Sequence, residues 1–256
     1  MSADKTVLVT GVSGLIGGFV APHLAERYRV RALNRRPVQG FETVRADIVD
    51  LDAIRPAFEN VETVVHLAGL IDGADSDIMA ANINGTYNVL EAARQAGVTR
   101  VVFASTGSVT GGYSADEPYR SILAGDYAKV PDRWRMIRHD DPVRPNGMYA
   151  ASKAAGEAIG RCYTEAHGLS VICLRLGRVE PKDQPLSAGH MVVFLAHGDC
   201  IQLIDCAIEA PAGVRFDIFF GTSANKWGIR DLEHAQEVIG YRPQLQLGDW
   251  PESPNS

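Results

Sequence analysis

The stretch "TVLVTGVSGLIGG", Thr6 to Gly18, sets glycines at positions 11, 14 and 17 between a β-branched apolar run and a helical segment. That order constrains the fold more than any other feature of the chain. A strand that passes at once into a helix begins a right-handed crossover, so the next strand lies parallel to the first in one sheet. The rest of the chain repeats this unit. An amphipathic segment to about Arg27 leads to strand-like "YRVRAL", then strand-like "ETVRA", helix-like "LDAIRPAFEN" with Pro56 near its start, and strand-like "TVVHLAG". A long helical stretch, "ADSDIMAANINGTYNVLEAARQAG", stops at Gly97. Strand "RVVFAS", a long polar loop, a helix around Tyr149 and strand "LSVICLRLG" follow.

Strands alternating with helices predict an α/β fold: a doubly wound parallel sheet, Rossmann-like, with ligands at the carboxyl ends of its strands. Two regions break the rhythm. Residues 112–145 are polar, aromatic and proline-punctuated, too long for a passive connection, and suggest a lid or pocket wall. After Arg175 the pattern turns irregular, with a helix near "GDCIQLIDCAIEA" and strand-like "VRFDIFFG". We read residues 1–256 as a single domain, 1–175 mainly a cofactor-binding core and 176–256 mainly a small substrate-side lobe.

With 256 residues, 46% hydrophobic and 22% charged, the chain is long enough for one packed core. Its net charge is -6, and the densest basic spots, "NRRP" and "RWRMIRH", are too short to track a phosphate backbone, which excludes nucleic acid as a partner. No apolar run approaches the roughly 18 residues of a membrane span. The N-terminus has no cleavable signal pattern, and Cys162, Cys173, Cys200 and Cys206 have neither metal-ligand nor disulfide spacing. These features point to a cytoplasmic protein with reduced thiols and no bound metal.

Between a strand and a helix, Gly11, Gly14 and Gly17 permit a tight turn and let backbone N–H groups approach a pyrophosphate, whose charge a helix N-terminus favours. The spacing is GxxGxxG, and a plain turn before a helix would also explain it. The second strand ends in Asn34-Arg35-Arg36, with no acid until Glu42. An acid there would bind a free ribose 2′-hydroxyl, whereas guanidinium forks suit a 2′-phosphate. This favours NADP over NAD; a solvated basic turn is the alternative.

The segment "MYAASKAAGE" sets Tyr149 and Lys153 one helical turn apart on one face. Surface pairs at this spacing usually join opposite charges, and a neutral phenol offers lysine little. The pairing makes sense if the tyrosine gives up its proton. Its ordinary pKa of about 10 is too high for a base at neutral pH, and a nearby ammonium would lower it. Hydroxyls at a neighbouring strand end, Ser105, Thr106 and Ser108 of "FASTGSVTGG", could hold a substrate oxygen.

The glycine triplet, "VVHLAG", "NINGTYNVLEAA", "FASTGSVTG" and "YAASK" occur in one order that resembles the extended short-chain dehydrogenase/reductase superfamily, its NAD-dependent epimerase/dehydratase group. The resemblance covers about residues 5 to 180. It implies an NAD(P)-dependent oxidoreductase in which Tyr149 is the catalytic acid or base and Lys153 its pKa-lowering, ribose-binding partner. Thr106 would orient the substrate, and Asn82 matches the family's helical asparagine. Leu15 and Ile16 would join the glycines around the cofactor, Asp47 and Ile48 would flank the adenine, and Leu67, Ala68 and Gly69 would lie near its ribose. Within the group, "RPNGMYAASKAAGEAIGRCYTEAHGL", "CLRLG", "LSAG" and "FGTSAN" look most like uronate dehydrogenases, which oxidise a hexuronic acid at C1. That likeness implies substrate contacts from Thr106, Gly107, Ser108 and Arg175, the arginine gripping the sugar carboxylate. Arg175 could equally close its strand by pairing with an internal acid.

The chain departs from that pattern where the family has Ser-Asn-His and this sequence has Thr106-Gly107-Ser108, and at Ile71 and Arg178, where the family has serines. The substrate is therefore open among sugars, sugar acids and similar small polar molecules. A nucleotide-sugar epimerase or dehydratase with bound NAD(P), and a non-catalytic NADP sensor, are the competing readings. His66 reads as structural or cofactor-adjacent, and Trp134 and Trp227 as pocket wall or ordinary packing. The helices around Asn82 to Ala96 and Tyr149 to Glu165 correspond to a pair that forms a four-helix dimer contact in this superfamily. Ala151, Ala155, Ala158, Ile159 and Cys162 would meet a second copy there, unless they pack on the sheet.

Overall fold

The computed structural model describes residues 5–250; the ends of the expected domain, 1–4 and 251–256, lie outside the described residues. Seven parallel strands form one sheet: β1 (Thr6–Thr10), β2 (Arg29–Asn34), β3 (Glu42–Arg45), β4 (Thr63–His66), β5 (Arg100–Thr106), β6 (Ser170–Leu176) and β7 (Phe216–Gly221). Their spatial order is β3-β2-β1-β4-β5-β6-β7. The chain winds outward from β1 to β3, returns to β4 on the other side of β1, and winds outward again. A crevice therefore opens beyond the carboxyl ends of β1 and β4, where Thr10 pairs with His66.

Both faces of the sheet are apolar because each is covered. On β1, Val7 and Val9 point into one core and Leu8 into the other; on β5, Val102 and Ala104 oppose Val101 and Phe103. The helices are α1 (Leu15–Ala25), α2 (Leu51–Ile54), α3 (Asp75–Met79), α4 (Gly85–Gln95), α5 (Tyr119–Ala124), α6 (Met148–His167), α7 (Ala188–Val192), α8 (His197–Ile208) and α9 (Glu233–Ile239). Leu24 of α1 and Leu203 and Ile204 of α8 fill the first core, and Leu90 of α4 and Tyr163 of α6 the second. Because β7 pairs with β6 and α8 covers the same sheet, the C-terminal part completes the sheet.

Two elements differ from expectation. The segment around Pro56 is two short pieces, α2 and a tighter turn at Arg55–Phe58, since proline lacks the N–H that would continue an α-helix. Residues 112–145 do not border the main cavity described below, though Arg135, Met136 and Arg138 wall a separate cavity of about 630 Å³. The segment folds through α5 into a third small core, in which Tyr119, Ile122 and Ile137 pack on Val192, Phe220 and Ile229. Trp134 and Trp227 belong to that packing: Trp227 stacks on both Tyr127 and Trp134, and Trp134 donates to the Gly228 carbonyl at 3.0 Å.

Candidate active site

The helix α3 runs into α4 through a π-type turn at Ala80–Asn84, and this turn carries Asn82 inward. Asn82 is fully buried. Its Oδ1 accepts from the Leu70 N–H at 2.7 Å, and its Nδ2 donates to the Leu70 carbonyl at 2.8 Å and to Ser152 Oγ at 2.9 Å. With every polar atom engaged, it does not border the cavity; it ties the loop after β4 to α6. His66 plays a similar part. It is sealed between Thr10 Oγ1 at 2.8 Å and Thr86 Oγ1 at 3.1 Å, and burial, aided by Lys153, lowers its pKa to about 3, so it is neutral. Thr10 Oγ1 also accepts from the Ala68 N–H at 3.0 Å, which fixes the 67–69 turn against β1.

That turn and the glycine loop face each other closely. Gly11 has φ 75°, and a Cβ there would lie 2.8 Å from the Ala68 nitrogen. A Cβ on Gly17 would overlap the Gly11 carbonyl oxygen and lie 2.7 Å from Val12 Cα, so α1 starts against the loop itself. The cap of α1 is Gly14, which offers no side-chain acceptor, so its first-turn N–H groups are left for a ligand. Two adjoining cavities, about 750 and 470 Å³, share Gly11, Gly14, Leu67 and Gly69 and together make one long groove. The smaller is bordered by Asn34, Arg35, Arg36, Asp47, Ile48 and Ala68, the larger by Leu15, Ile16 and Gly17. Asn34 is spent locally: its Oδ1 accepts from Ser13 Oγ at 3.1 Å and its Nδ2 donates to the Arg36 carbonyl at 2.8 Å. Arg35 and Arg36 are exposed.

A dinucleotide fits this groove. It has a glycine-lined floor that a Cβ would fill, uncapped amides at a helix start, and two free guanidinium groups at one end.

At the other end the larger cavity is bordered by Thr106, Ser108, Tyr149 and Lys153. The helix α6 turns Lys153 and Glu157 inward and packs so closely on β5 that a Cβ at Gly156 would lie 2.6 Å from the Phe103 ring. Lys153 is 3% exposed, its Nζ 4.9 Å from the Phe103 ring centroid, and burial lowers its pKa to about 8. The Tyr149 phenol is pushed up by burial, and the group that opposes this is the Thr106 hydroxyl, not the Lys153 ammonium. Burial thus raises the phenol and depresses the ammonium, because each is pushed toward its neutral form.

Arg175 takes the second of its two expected roles. It is 1% exposed and absent from the cavity wall; its Nε and Nη2 each donate to Glu157 at 2.9 Å and its Nη1 to the His139 carbonyl at 3.1 Å. Ser105 borders the larger cavity, but its Oγ donates to the same carboxylate at 2.6 Å. Gly107, like Arg175, is off the cavity wall, because the guanidinium of Arg230 occupies the space a side chain there would need. Sequence reasoning passed over Arg230 entirely, since "GIRDLE" carries no motif. It missed Glu157 too, although Tyr149, Lys153 and Glu157 recur every fourth residue.

Residues 7–197 match the model of the NAD dependent epimerase/dehydratase family. The chain belongs to that family. It is 36% identical over 255 residues to an L-arabinose 1-dehydrogenase (NAD(P)(+)) of Haloferax volcanii, covering 93% of this chain and 96% of that one. An NAD-dependent glucose-6-phosphate dehydrogenase of the same organism is 31% identical, with 94% of each chain covered. The crystal structure of uronate dehydrogenase from Agrobacterium tumefaciens superposes with a TM-score of 0.82 at 28% identity, covering 99% of this chain and 93% of that one.

If the Glu157–Arg175 pair is structural, Glu157→Ala alone should cost about 3–5 kcal/mol, because it strands a buried guanidinium. The double variant Glu157→Leu/Arg175→Met should recover most of that loss in urea denaturation. Unchanged stability in Glu157→Ala would show that the pair does not hold α6 to β6.

Proposed function

We infer that the chain is an NAD(P)-dependent oxidoreductase that moves a hydride between the nicotinamide and a hydroxyl- or carbonyl-bearing carbon of a sugar, sugar acid or similar small polar substrate. One observation carries this reading: Tyr149, Lys153 and Thr106 border the same cavity as the glycine loop that opens α1. When bound, the nicotinamide supplies or accepts the hydride. In oxidation the Tyr149 phenolate takes the proton of the substrate hydroxyl as the hydride leaves its carbon, in reduction the Tyr149 hydroxyl returns it, and Thr106 shares that oxygen from the end of β5. Lys153, mostly protonated below its pKa of about 8, keeps a positive charge in the groove and makes no ion pair among the described residues. Two relatives covered nearly end to end are dehydrogenases of a sugar and of a sugar phosphate. This supports net oxidation over a retained-cofactor epimerase.

In this reading the part up to Arg175 holds the cofactor and the part after it shapes the substrate end. NADP is the favoured cofactor, because Arg35 and Arg36 border the adenine-side cavity and β2 ends in Asn34 without an acid. A homodimer through α4 and α6 belongs to the same reading. The inward face of α6 is Ser152, Lys153, Gly156, Glu157, Gly160 and Tyr163, which leaves Ala151, Ala155 and Ile159 partly exposed and Ala158 and Cys162 exposed. Small side chains on an outward face allow a close helix crossing, and twofold symmetry makes such a contact isologous.

Tyr149→Phe should keep cofactor affinity near that of the wild type and lower turnover by about 10²-fold or more in a steady-state assay. Full retained activity would remove the phenol from the mechanism. Replacing Arg35 and Arg36 by neutral residues should weaken NADP by about tenfold or more and hardly change NAD, as read by fluorescence titration of the reduced forms. Equal losses would count against the 2′-phosphate. Ala155→Arg should give a soluble monomer in light scattering, and a wild type that is monomeric at micromolar concentration would end the dimer assignment.

A further inference from the structure

A guanidinium that has no counter-ion among the described residues sits at the substrate end of the cavity. Arg230 is 9% exposed, and its Nε and Nη1 are closed off from solvent without a hydrogen-bond partner. Buried charges in proteins are almost always paired, because an unpaired one forfeits its hydration with nothing in return. The nearby carboxylate, Glu157, is already shared between Arg175 and Ser105. Arg175 adds repulsion: the two guanidinium carbons lie 5.3 and 5.6 Å from the centroid of the same ring, Phe220. Burial and this neighbour together depress the Arg230 pKa to about 10, which leaves it charged at neutral pH.

The rest of the fold holds Arg230 in that costly position. Its backbone pairs with Ile137, with Ile137 N–H donating to the Ile229 carbonyl at 2.8 Å and Asp231 N–H to the Ile137 carbonyl at 2.9 Å. Ile137 and Ile229 are anchored in the third core. On the cavity side, Gly107 clears the volume the guanidinium fills. The acid that does border the cavity, Asp72, is exposed and makes no ion pair with Arg230 among the described residues. Of the two other cations on that wall, Lys153 stands with Tyr149 and Arg178 is paired with Glu180.

We propose that Arg230 is a substrate-binding residue whose guanidinium receives an anionic substituent, a carboxylate or a phosphate, on the sugar oxidised at Tyr149. The proposal rests on the dehydrogenase reading above. A guanidinium N–H donates a charge-assisted hydrogen bond to either oxyanion, and such bonds are the strong ones. Thr106 and Ser108, on the same cavity wall, remain for the neutral hydroxyls. An incoming anion supplies the charge that the protein leaves out, so affinity comes from a penalty already present in the free enzyme.

The test is calorimetric titration of the full chain, saturated with reduced cofactor, against D-glucuronate, D-glucose 6-phosphate and D-glucose. One of the two anions should bind about tenfold or more tightly than glucose. The stronger of them tells carboxylate from phosphate. Arg230→Met should abolish that preference while leaving glucose affinity within about threefold, and Arg230→Lys should keep part of it. Without ligand, Arg230→Met should melt no lower than the wild type, since it removes an unpaired buried charge. Equal binding of all three sugars by the wild type, an unchanged preference in Arg230→Met, or unfolding of that variant would each overturn the proposal. Reduction of NAD or NADP, followed by nicotinamide absorbance, separates the two readings. Arg230-dependent binding without reduction defeats the dehydrogenase reading alone, whereas equal reduction with glucose and both anions defeats the subsite alone.

Discussion

The buried pair between Glu157 on α6 and Arg175 on β6 is the contact on which the site depends. It joins the helix that carries Tyr149 and Lys153 to the strand beside β5, through two hydrogen bonds of 2.9 Å. Ser105 adds a third from β5 itself. An ion pair so deeply buried adds little net stability over a well-packed apolar substitute, because both charges have lost their hydration. Its geometry is nevertheless directional, and it sets the rotation of α6 about its axis. Four and eight residues upstream on the same face, Lys153 and Tyr149 are then aimed at the groove. The close seat of Gly156 on Phe103 holds the helix at the matching height.

A second set of contacts fixes the opposite wall. Asn82 holds the Leu70 backbone and Ser152, while Thr10 holds Ala68. These polar side chains are satisfied inside the protein and act as braces. The groove between the two walls owes its width to missing side chains. At Gly11 and Gly17 a Cβ would strike backbone atoms, which cannot move aside as a flexible side chain could. Polar satisfaction on one side and steric vacancy on the other thus produce a slot with free amides along it.

Charge is distributed unevenly along that slot. One end carries Arg35 and Arg36 in contact with solvent, where water compensates them at little cost. The middle carries Lys153, whose depressed pKa records its burial. The far end carries Arg230, enclosed and uncompensated. A protein that is acidic overall therefore sets Arg35, Arg36, Lys153 and Arg230 along the groove that its ligands would occupy, which draws anionic molecules to it.

The local pattern of the sequence was enough to reveal the parallel sheet, the glycine turn and the Tyr149–Lys153 face, because each depends on residues a few positions apart. Strand and helix periods state which side of an element a residue occupies, and the spacing of Tyr149, Lys153 and Glu157 is such a statement. The fate of the two arginines was not legible in this way. Arg175 faced two possible partners, and only the packing of α6 on β6 brought Glu157 within reach of its fork. Arg230 lies in a segment without motif or period, and it enters the cavity because residues 112–145 fold back to pair Ile137 beside it. Sequence by itself determined the frame and the reactive helix; tertiary structure alone decided which guanidinium is neutralised and which is left for a ligand. Short-range periodicity fixes direction, whereas pairing between distant segments fixes what stands at the end of it.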